Sequence, residues 1–357
     1  KQHNFSAGPA AIPGEVLRKA QEQLRDYQGY GLSLLELSHR GETYKGVHLR
    51  CIRLLTEILR IPETHQVLLL GGGATLQFGM VPMNLLNGRD SVSIALTGAW
   101  SVKAYADLKP LAGNVHVAFD GKAGGFSRLP ETLQVPEGSR YLHICSNETI
   151  HGVQWQNLPQ VPCPIVADMS SDFLSHPLDW SKLGVVYAGA QKNLGPAGLC
   201  VVIMQKSLLQ QCSENLPAYL RYPLHAENDS LYNTPPSFAV YMVMLQLEWL
   251  LDLGGLSAME QRNKIKAEKL YRQIDASDGF YRNPVEKTAR SQMNVPFLLP
   301  NKELETSFLA AADERGLEGL KGHRSMGGVR ASIYNAVRPE SVDVLLDFMA
   351  EFQSRHR

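Results

Sequence analysis

The feature that most constrains the fold of this chain is a set of short apolar runs, several of which show no alternation with polar residues. An alternating run leaves one face of a strand in water, whereas a continuous run is typical of a strand covered on both faces. Such strands belong mainly to parallel sheets with helices on both sides. We therefore predict an α/β fold with a mostly parallel sheet. The candidate strands are residues 67–70, 92–96, 115–119, 141–145, 165–167, 185–188 and 200–204.

The helical pattern and the chain length together indicate more than one domain. A chain of 357 residues is long for a single hydrophobic core. The apolar helix predicted over residues 238–253 ends at Gly254 and Gly255, which is the strongest boundary signal. We predict an N-terminal arm (1–14), a large domain (15–254) and a smaller C-terminal α/β domain (255–357). The other main predictions are helices over 42–59, 75–86, 257–274, 303–315 and 339–352, and strands over 295–299 and 328–333.

Two residues at the ends of apolar runs are the first candidates for chemistry. Asp168 follows the run 165–167, and Lys192 lies just beyond the run 185–188. Ligands of open α/β folds bind at the carboxyl ends of the strands. An amine and an acid placed there suit pyridoxal 5′-phosphate (PLP), because lysine can hold its aldehyde as an imine and a carboxylate can keep its ring nitrogen protonated. Taken alone, each residue is more often a turn residue or a solvated charge.

A glycine run offers a place for the cofactor phosphate. Gly71, Gly72 and Gly73 lie between a predicted strand and a predicted helix, followed by Ala74 and Thr75. Glycines let the backbone approach a phosphate, and a helix N-terminus attracts anions. The alternative is a simple tight turn, since the run matches neither GxGxxG nor a P-loop.

Further side chains could complete such a site. Trp100 follows a predicted strand and could stack on a planar ring, although core filling is the commoner role of tryptophan. Thr149 could donate a hydrogen bond to the cofactor, or cap a helix. Gln191, Asn233 and Thr234 are candidate donors to the phosphate.

Two basic clusters could bind an anionic substrate. His39 and Arg40 form one, and His323 and Arg324 form the other. Arg330 lies within an apolar strand pattern, where an unpaired charge is costly. A guanidinium binds a carboxylate through two parallel hydrogen bonds, so Arg330 is the candidate for a substrate carboxylate.

Composition excludes several classes of partner and site. Lys plus Arg equals Asp plus Glu at 35 each, so no global field favours nucleic acid or an anionic membrane. The five cysteines show no CxxC spacing, which indicates reduced thiols and no metal site. The chain has no run long enough to span a membrane and no N-terminal signal core, so we expect a cytoplasmic protein.

Taken together, the motifs resemble those of the phosphoserine aminotransferases, a family within the class V, fold-type I group of PLP enzymes. The resemblance runs from the N-terminus to the last helix. It is carried by Asn4-Phe5-Ser6-Ala7-Gly8-Pro9, Ser38-His39-Arg40, Gly71-Gly72-Gly73, Gln77-Phe78, Thr97-Gly98-Ala99-Trp100, Ser146-Asn147-Glu148-Thr149, Ala167-Asp168-Met169-Ser170-Ser171, Gly189-Ala190-Gln191-Lys192-Asn193, Tyr232-Asn233-Thr234-Pro235-Pro236 and Gly322-His323-Arg324.

The resemblance implies a seven-stranded, mostly parallel sheet and one PLP per subunit, held as a Schiff base to Lys192. It implies amino transfer between L-glutamate and 3-phosphohydroxypyruvate, giving O-phospho-L-serine and 2-oxoglutarate. Some members also act on 4-phosphohydroxy-L-threonine in pyridoxine biosynthesis. Some carry Gly-Arg or Gly-Cys where this chain has Ala74-Thr75.

The resemblance also implies a role for each candidate residue. Asp168 pairs with the ring nitrogen, Trp100 stacks on the ring, and Arg330 holds the α-carboxylate. By the same resemblance, Ala74, Thr75 and Gln191 lie around the cofactor phosphate, and Thr149 hydrogen-bonds the cofactor. Asn233 and Thr234 would reach the phosphate of the neighbouring subunit's cofactor. His323 and Arg324 would bind the distal anion of the substrate. His39 and Arg40 would enter the same pocket from the neighbouring subunit. Each site would therefore require a homodimer.

Three alternatives remain beside this interpretation. A cysteine desulfurase, another class V enzyme, needs a cysteine late in the chain, but none follows Cys212. A non-catalytic PLP-binding protein could use the same fold, because fold does not fix function. A nucleotide-binding dehydrogenase is disfavoured by the lack of GxGxxG.

Overall fold

The computed structural model describes residues 2–356, and within that range the chain forms ten α-helices and thirteen β-strands. The helices are α1 Gly14–Glu22, α2 Glu42–Leu59, α3 Gly73–Leu85, α4 Ala99–Leu108, α5 Lys206–Leu209, α6 Tyr222–Glu227, α7 Ser237–Asp252, α8 Gly255–Asp275, α9 Lys302–Glu314 and α10 Pro339–His356. The strands are β1 His3–Asn4, β2 His65–Gly71, β3 Ser91–Leu96, β4 Asn114–Asp120, β5 Leu142–Cys145, β6 Asn147–Glu148, β7 Val153–Gln154, β8 Ile165–Asp168, β9 Leu183–Gly189, β10 Leu199–Gln205, β11 Asn294–Phe297, β12 Leu317–Glu318 and β13 Val329–Ser332.

A seven-stranded sheet organises the first two thirds of the chain. Its strand order is β2-β10-β9-β8-β5-β3-β4. Only β10 runs against its neighbours, since it pairs antiparallel with both β2 and β9 while the other pairs are parallel. The predicted apolar runs of this region lie in strands of this sheet, except that Tyr141 precedes the first residue of β5. The predicted α/β fold with a mostly parallel sheet is confirmed.

The continuous apolar runs arise because both faces of the sheet are covered. Every residue of β5, β8 and β9 is buried. Neighbouring residues of one strand enter different apolar clusters: Ala167 packs in the cluster that contains α2 and α7, and Val166 packs in the cluster that contains α3 and α4. The edge strand β4 has no fully buried residue. This burial on two faces is the physical reason that the strands lack alternation.

The C-terminal residues form a further apolar cluster together with Phe5. The strands β11 and β13 pair antiparallel, and β1 pairs parallel with β12. The predicted helices over 257–274, 303–315 and 339–352 correspond to α8, α9 and α10. Leu256 and Met259 at the start of α8 pack instead with the large cluster of the sheet. Since α8 contributes to both clusters, the domain boundaries at residues 14 and 254 stay a prediction.

Several element ends meet at the carboxyl edge of the sheet. The strand β2 ends at Gly71 and α3 begins at Gly73. Between them Gly72 has a φ of 96°, a left-handed conformation that favours glycine. The strand β8 ends at Asp168, and β9 ends at Gly189 shortly before Lys192. The topology thus brings the residues of the predicted site to one edge, as expected for an open α/β sheet.

Among residues 2–356, no single helix has the length and apolar character needed to cross a membrane. Only α7 and α8 taken as a pair meet both criteria, and they are bent by 82° at their junction.

Candidate active site

A cavity of about 350 Å³ lies at the carboxyl edge of the sheet. Its size is within the range of small-molecule sites. Nine of the residues proposed from the sequence line it: Ala74, Thr75, Trp100, Thr149, Asp168, Gln191, Lys192, His323 and Arg330. Ala7, Gly8, Gly73, Phe78, Ile150 and Ser170 complete the lining.

Lys192 places its amine beside a hydroxyl and an aromatic ring. The Nζ atom donates a hydrogen bond of 2.7 Å to Thr149 Oγ1, and it lies 5.5 Å from the centroid of the Trp100 ring. None of the ion pairs within residues 2–356 involves Lys192. Thr149 and Trp100 therefore orient the amine, and no carboxylate within residues 2–356 lies at ion-pair distance from it. Thr149 is not a helix cap, so that alternative is wrong.

Asp168 presents a buried carboxylate to the same cavity. It is only 5% exposed, and its Oδ1 accepts hydrogen bonds from the Ser170 amide (3.0 Å) and the Ser170 hydroxyl (2.6 Å). Burial raises the pKa of Asp168, while the Ser170 hydrogen bonds and the Lys192 charge act in the opposite direction. Since Oδ1 accepts both of these hydrogen bonds, Oδ2 can accept a hydrogen bond from a ligand.

Ser170 lines the cavity and contacts Asp168, although no role was predicted for it from the sequence. Its hydroxyl also accepts a hydrogen bond of 3.1 Å from the Gly189 amide at the end of β9. Ser170 therefore fixes the Asp168 carboxylate relative to the strand that precedes Lys192. Its position two residues after Asp168 was the available signal, because a serine can hydrogen-bond a carboxylate at that spacing.

Trp100 lies in the first turn of α4, at the wall of the cavity. Its indole packs partly against the apolar cluster that includes Leu96, so the core-filling role also holds. The Nε1 atom is buried and has no hydrogen-bond partner in the described chain. An unpaired buried donor is costly, and such a donor at a cavity wall is a place where a ligand can contribute a partner.

The turn between β2 and α3 lies at the cavity, where the sequence predicts an anion site. The amides of the first turn of α3 have no acceptors within the helix, and Ala74, Thr75 and Gln191 line the cavity beside them. Gly189 allows Gln191 to approach, since a Cβ atom there would lie 2.6 Å from Gln191 Oε1 and 3.4 Å from the Ala74 Cβ. The phosphate site at the glycine run stays a prediction, beside the alternative of a tight turn.

Arg330 and His323 form a further wall of the cavity. Arg330 Nη1 donates a hydrogen bond of 3.5 Å to the Thr149 carbonyl, and its buried Nε has no partner. Burial lowers the pKa of Arg330, as expected for a cation that has no counter-ion among the described residues. Burial and the charges of Arg330 and Arg324 lower the pKa of His323. This wall is therefore suited to an anionic substrate.

Five of the proposed residues do not line this cavity within the described chain: His39, Arg40, Asn233, Thr234 and Arg324. His39 Nδ1 lies 3.3 Å from Thr234 Oγ1, so two segments far apart in the sequence meet at a second place. Arg40, Asn233 and Thr234 are exposed there. Arg324 is exposed on the loop that carries His323.

The cavity residues fit PLP by the chemistry of each group. The aldehyde would meet the Lys192 amine, the ring nitrogen would meet Asp168 Oδ2, and the phosphate would meet the N-terminus of α3. Another cavity, of about 570 Å³, lies between the N-terminal segment and the start of α10. It is larger, but among residues 2–356 its lining includes no lysine and none of the residues proposed from the sequence.

Comparison with known proteins agrees with this geometry. The family model of class V aminotransferases matches residues 2–345. The phosphoserine aminotransferase of Bacillus subtilis is 51% identical over 355 residues, which cover 99% of this chain and 98% of the relative. The chloroplastic phosphoserine aminotransferase 2 of Arabidopsis thaliana is 48% identical over 99% of this chain and 85% of its own length.

Solved structures give the same result. The phosphoserine aminotransferase of Bacillus circulans subsp. alkalophilus superposes with a TM-score of 0.98 at 46% identity, covering 100% of this chain and 99% of that chain. The PLP-bound phosphoserine aminotransferase of Trichomonas vaginalis has a TM-score of 0.92 at 37% identity, covering 98% of this chain and 100% of that chain. The chain therefore belongs to the class V aminotransferase family and, within it, to the phosphoserine aminotransferases.

Proposed function

We propose that the protein transfers an amino group reversibly between L-glutamate and 3-phosphohydroxypyruvate, giving 2-oxoglutarate and O-phospho-L-serine with PLP as cofactor. The observation that carries this proposal is the Lys192 amine beside Thr149 and Trp100, in one cavity with the buried Asp168 carboxylate and the Arg330 guanidinium. Full-length relatives named phosphoserine aminotransferase support the choice of substrates.

PLP, when bound, supplies an electron-withdrawing ring that stabilises the charge left when the substrate loses its Cα proton. The protein's part is to orient and to move protons. Asp168 Oδ2 would hold the proton on the ring nitrogen, and the buried position of that carboxylate strengthens the interaction. Lys192 Nζ would bind the aldehyde covalently and, once released, carry the Cα proton, because it is tethered beside the reacting carbon.

The two substrates share an α-carboxylate and differ at the distal end, which is a carboxylate in glutamate and a phosphate in phosphohydroxypyruvate. Arg330 would bind the shared α-carboxylate. The distal anion would be bound by His323 with Arg324, joined by His39 and Arg40. Several histidine and arginine donors suit a pocket that must accept a planar carboxylate and a tetrahedral phosphate in turn.

We further propose that the protein works as a homodimer with shared sites. Apolar side chains are exposed in the segment that precedes His39, with Tyr30 at 58% and Leu35 at 57%, and Tyr232 next to Asn233 is 41% exposed. Exposed apolar side chains close together are typical of a protein interface. In the dimer, His39, Arg40, Asn233 and Thr234 would reach the partner's cavity.

Two further proposals concern organisation and location. The division into an arm (1–14), a large domain (15–254) and a small domain (255–357) is supported by the separate apolar cluster of the C-terminal residues. Cytoplasmic location is supported by the five cysteines, which are all free thiols.

The proposal is tested by following the two half-reactions separately. The yellow purified protein is mixed with L-glutamate and then with 3-phosphohydroxypyruvate, while the visible absorbance of the covalently held cofactor is recorded. We expect the band to bleach with the first substrate and to return with the second. Lys192→Ala should abolish both the band and turnover, whereas the exposed control Lys264→Ala should retain them. Retained turnover in Lys192→Ala, or a wild-type band unaffected by glutamate as in a non-catalytic PLP-binding protein, would refute the proposal.

A further inference from the structure

A buried carboxylate of unassigned role lies directly behind the cavity wall. Glu148 in β6 is 0% exposed. Its Oε2 accepts a hydrogen bond of 2.9 Å from the Trp100 amide. Its Oε1 accepts bonds from the Ser101 amide (2.9 Å) and the Ser101 hydroxyl (2.7 Å). The carboxylate thus satisfies free amides in the first turn of α4, which carries Trp100.

The backbone near Glu148 leaves space for this arrangement. Gly98 has a φ of 176°, an extended conformation open to any residue, so its backbone does not require glycine. A Cβ atom at Gly98 would nevertheless lie 2.4 Å from Glu148 Cδ and 2.5 Å from Oε2. The space at Gly98 is therefore needed by the carboxylate.

The charge of Glu148 has no cationic side chain to offset it within residues 2–356, since none of the ion pairs there includes this residue. Burial raises the pKa of Glu148, and the hydrogen bonds from Ser101 and Trp100 oppose that effect. Burial of an acid is costly, so the hydrogen bonds to the first turn of α4 are what hold it in place.

Glu148 is also joined covalently to Thr149, which binds the Lys192 amine. Two consecutive residues thus hold the backbone of Trp100 and the amine of Lys192. A shift of the Glu148 carboxylate would change the position of the indole relative to that amine.

We propose that Glu148 is a positioning residue that holds the Trp100 indole in place for stacking on the cofactor ring. The inference rests on the proposed function, because it takes Trp100 to be the stacking residue. If Glu148 positions the indole, a change of its carboxylate should alter both the affinity for the cofactor ring and the orientation of that ring.

The test uses pyridoxamine 5′-phosphate, which has no aldehyde and so reports ring and phosphate contacts without the covalent link. Its affinity for the cofactor-free full-length protein is measured by fluorescence, together with the circular dichroism of its bound ring. Glu148→Gln retains one acceptor oxygen but turns an NH₂ group toward an amide donor. We expect binding to weaken about 10-fold, as for one lost hydrogen bond to a charged acceptor, with a changed dichroic band. The exposed control Glu268→Gln should bind like wild type.

A double-mutant cycle separates positioning from general destabilisation. If Glu148 acts through Trp100, Glu148→Gln should have little further effect in a Trp100→Ala background. Gly98→Ala, which crowds the carboxylate without removing it, should reproduce the loss of affinity and keeps the test valid if Glu148→Gln fails to fold. Unchanged affinity and dichroism in folded Gly98→Ala or Glu148→Gln protein, or full additivity with Trp100→Ala, would overturn the inference. Failure of wild type to bind pyridoxamine 5′-phosphate would instead contradict the proposed function.

Discussion

His143 is a buried titratable residue of β5, in the middle of the sheet. Its Nε2 lies 2.8 Å from the Tyr187 hydroxyl, and its buried Nδ1 has no partner within the described chain. Burial lowers the pKa of His143 to about 4. In the unfolded chain the imidazole takes up a proton near pH 6.5. Between these two pH values only the unfolded state is protonated, so His143 makes stability fall as the pH is lowered.

We predict that His143→Gln reduces this acid sensitivity, because an amide does not titrate and can still contact Tyr187. Between pH 7 and pH 4, wild type should lose on the order of 2 kcal/mol more of its unfolding free energy than the variant. Urea unfolding at both pH values measures the difference. The pKa values of Asp168, Glu148 and Asp172 are raised and act in the opposite direction, but they do so equally in both proteins. Identical pH dependence in the two proteins would show that His143 does not contribute.

Arg330 gives a second prediction at the residue scale. Because both substrates carry an α-carboxylate, Arg330→Leu should reduce kcat/KM for both by about 100-fold, the size of a lost bidentate charged contact. The exposed control Arg355→Leu should leave both values near wild type. The measurement is the rate of each half-reaction against substrate concentration. A loss confined to one substrate would contradict the placement of the shared α-carboxylate on Arg330.

Residues at the ends of strands were predictable, whereas residues that act through a distant partner were not. Asp168 and Lys192 follow apolar runs, so their place at the sheet edge followed from the pattern alone. Glu148 was visible in a motif, but its role depends on Trp100, which lies on another element. No local pattern contains that pairing.

At the scale of elements, the first residues of the chain are held by the last third of it. The strand β1 pairs with β12, where His3 lies opposite Leu317. The Phe5 amide donates to the Glu318 carbonyl at 2.8 Å, and the Phe5 carbonyl accepts from the Ser332 amide at 3.2 Å.

The long helices and strands were predicted because their periodicity is local. Two-residue strands such as β1 and β12 have no periodicity, so only the folded chain reveals them.

We predict that Phe5→Ala destabilises the protein by about 3–5 kcal/mol, because Phe5 is fully buried in the C-terminal apolar cluster and its removal leaves a cavity. Ile265→Ala on the exposed side of α8 is the matched control and should cost less than about 1 kcal/mol. Chemical denaturation of the two variants measures both values. Equal small losses would mean that the N-terminal segment adds little to the core.

At the scale of the whole molecule, the described chain provides a cavity with part of the implied site and a separate group of polar residues. His39 and Thr234 are in contact outside that cavity, next to Arg40 and Asn233. The sequence alone could not place them, because whether two segments serve one cavity or two depends on the assembly. In the proposed dimer, the two-fold symmetry would place this group of each subunit beside the cavity of the other.

Subunit mixing distinguishes a shared site from a self-contained one. Lys192→Ala and Arg40→Ala are each expected to be nearly inactive as homodimers, the first without the amine and the second without a distal anion contact. When the two variants are unfolded and refolded together, half of the dimers should be mixed.

If Arg40 serves the partner's cavity, one site of each mixed dimer has both an intact Lys192 and an intact Arg40. About a quarter of wild-type activity should then return. If Arg40 serves its own subunit's cavity, every site in the mixed dimer lacks one of the two side chains and no activity returns. The exposed control Arg355→Ala, mixed with Lys192→Ala, should retain about half of the wild-type activity in either case, which calibrates the efficiency of refolding.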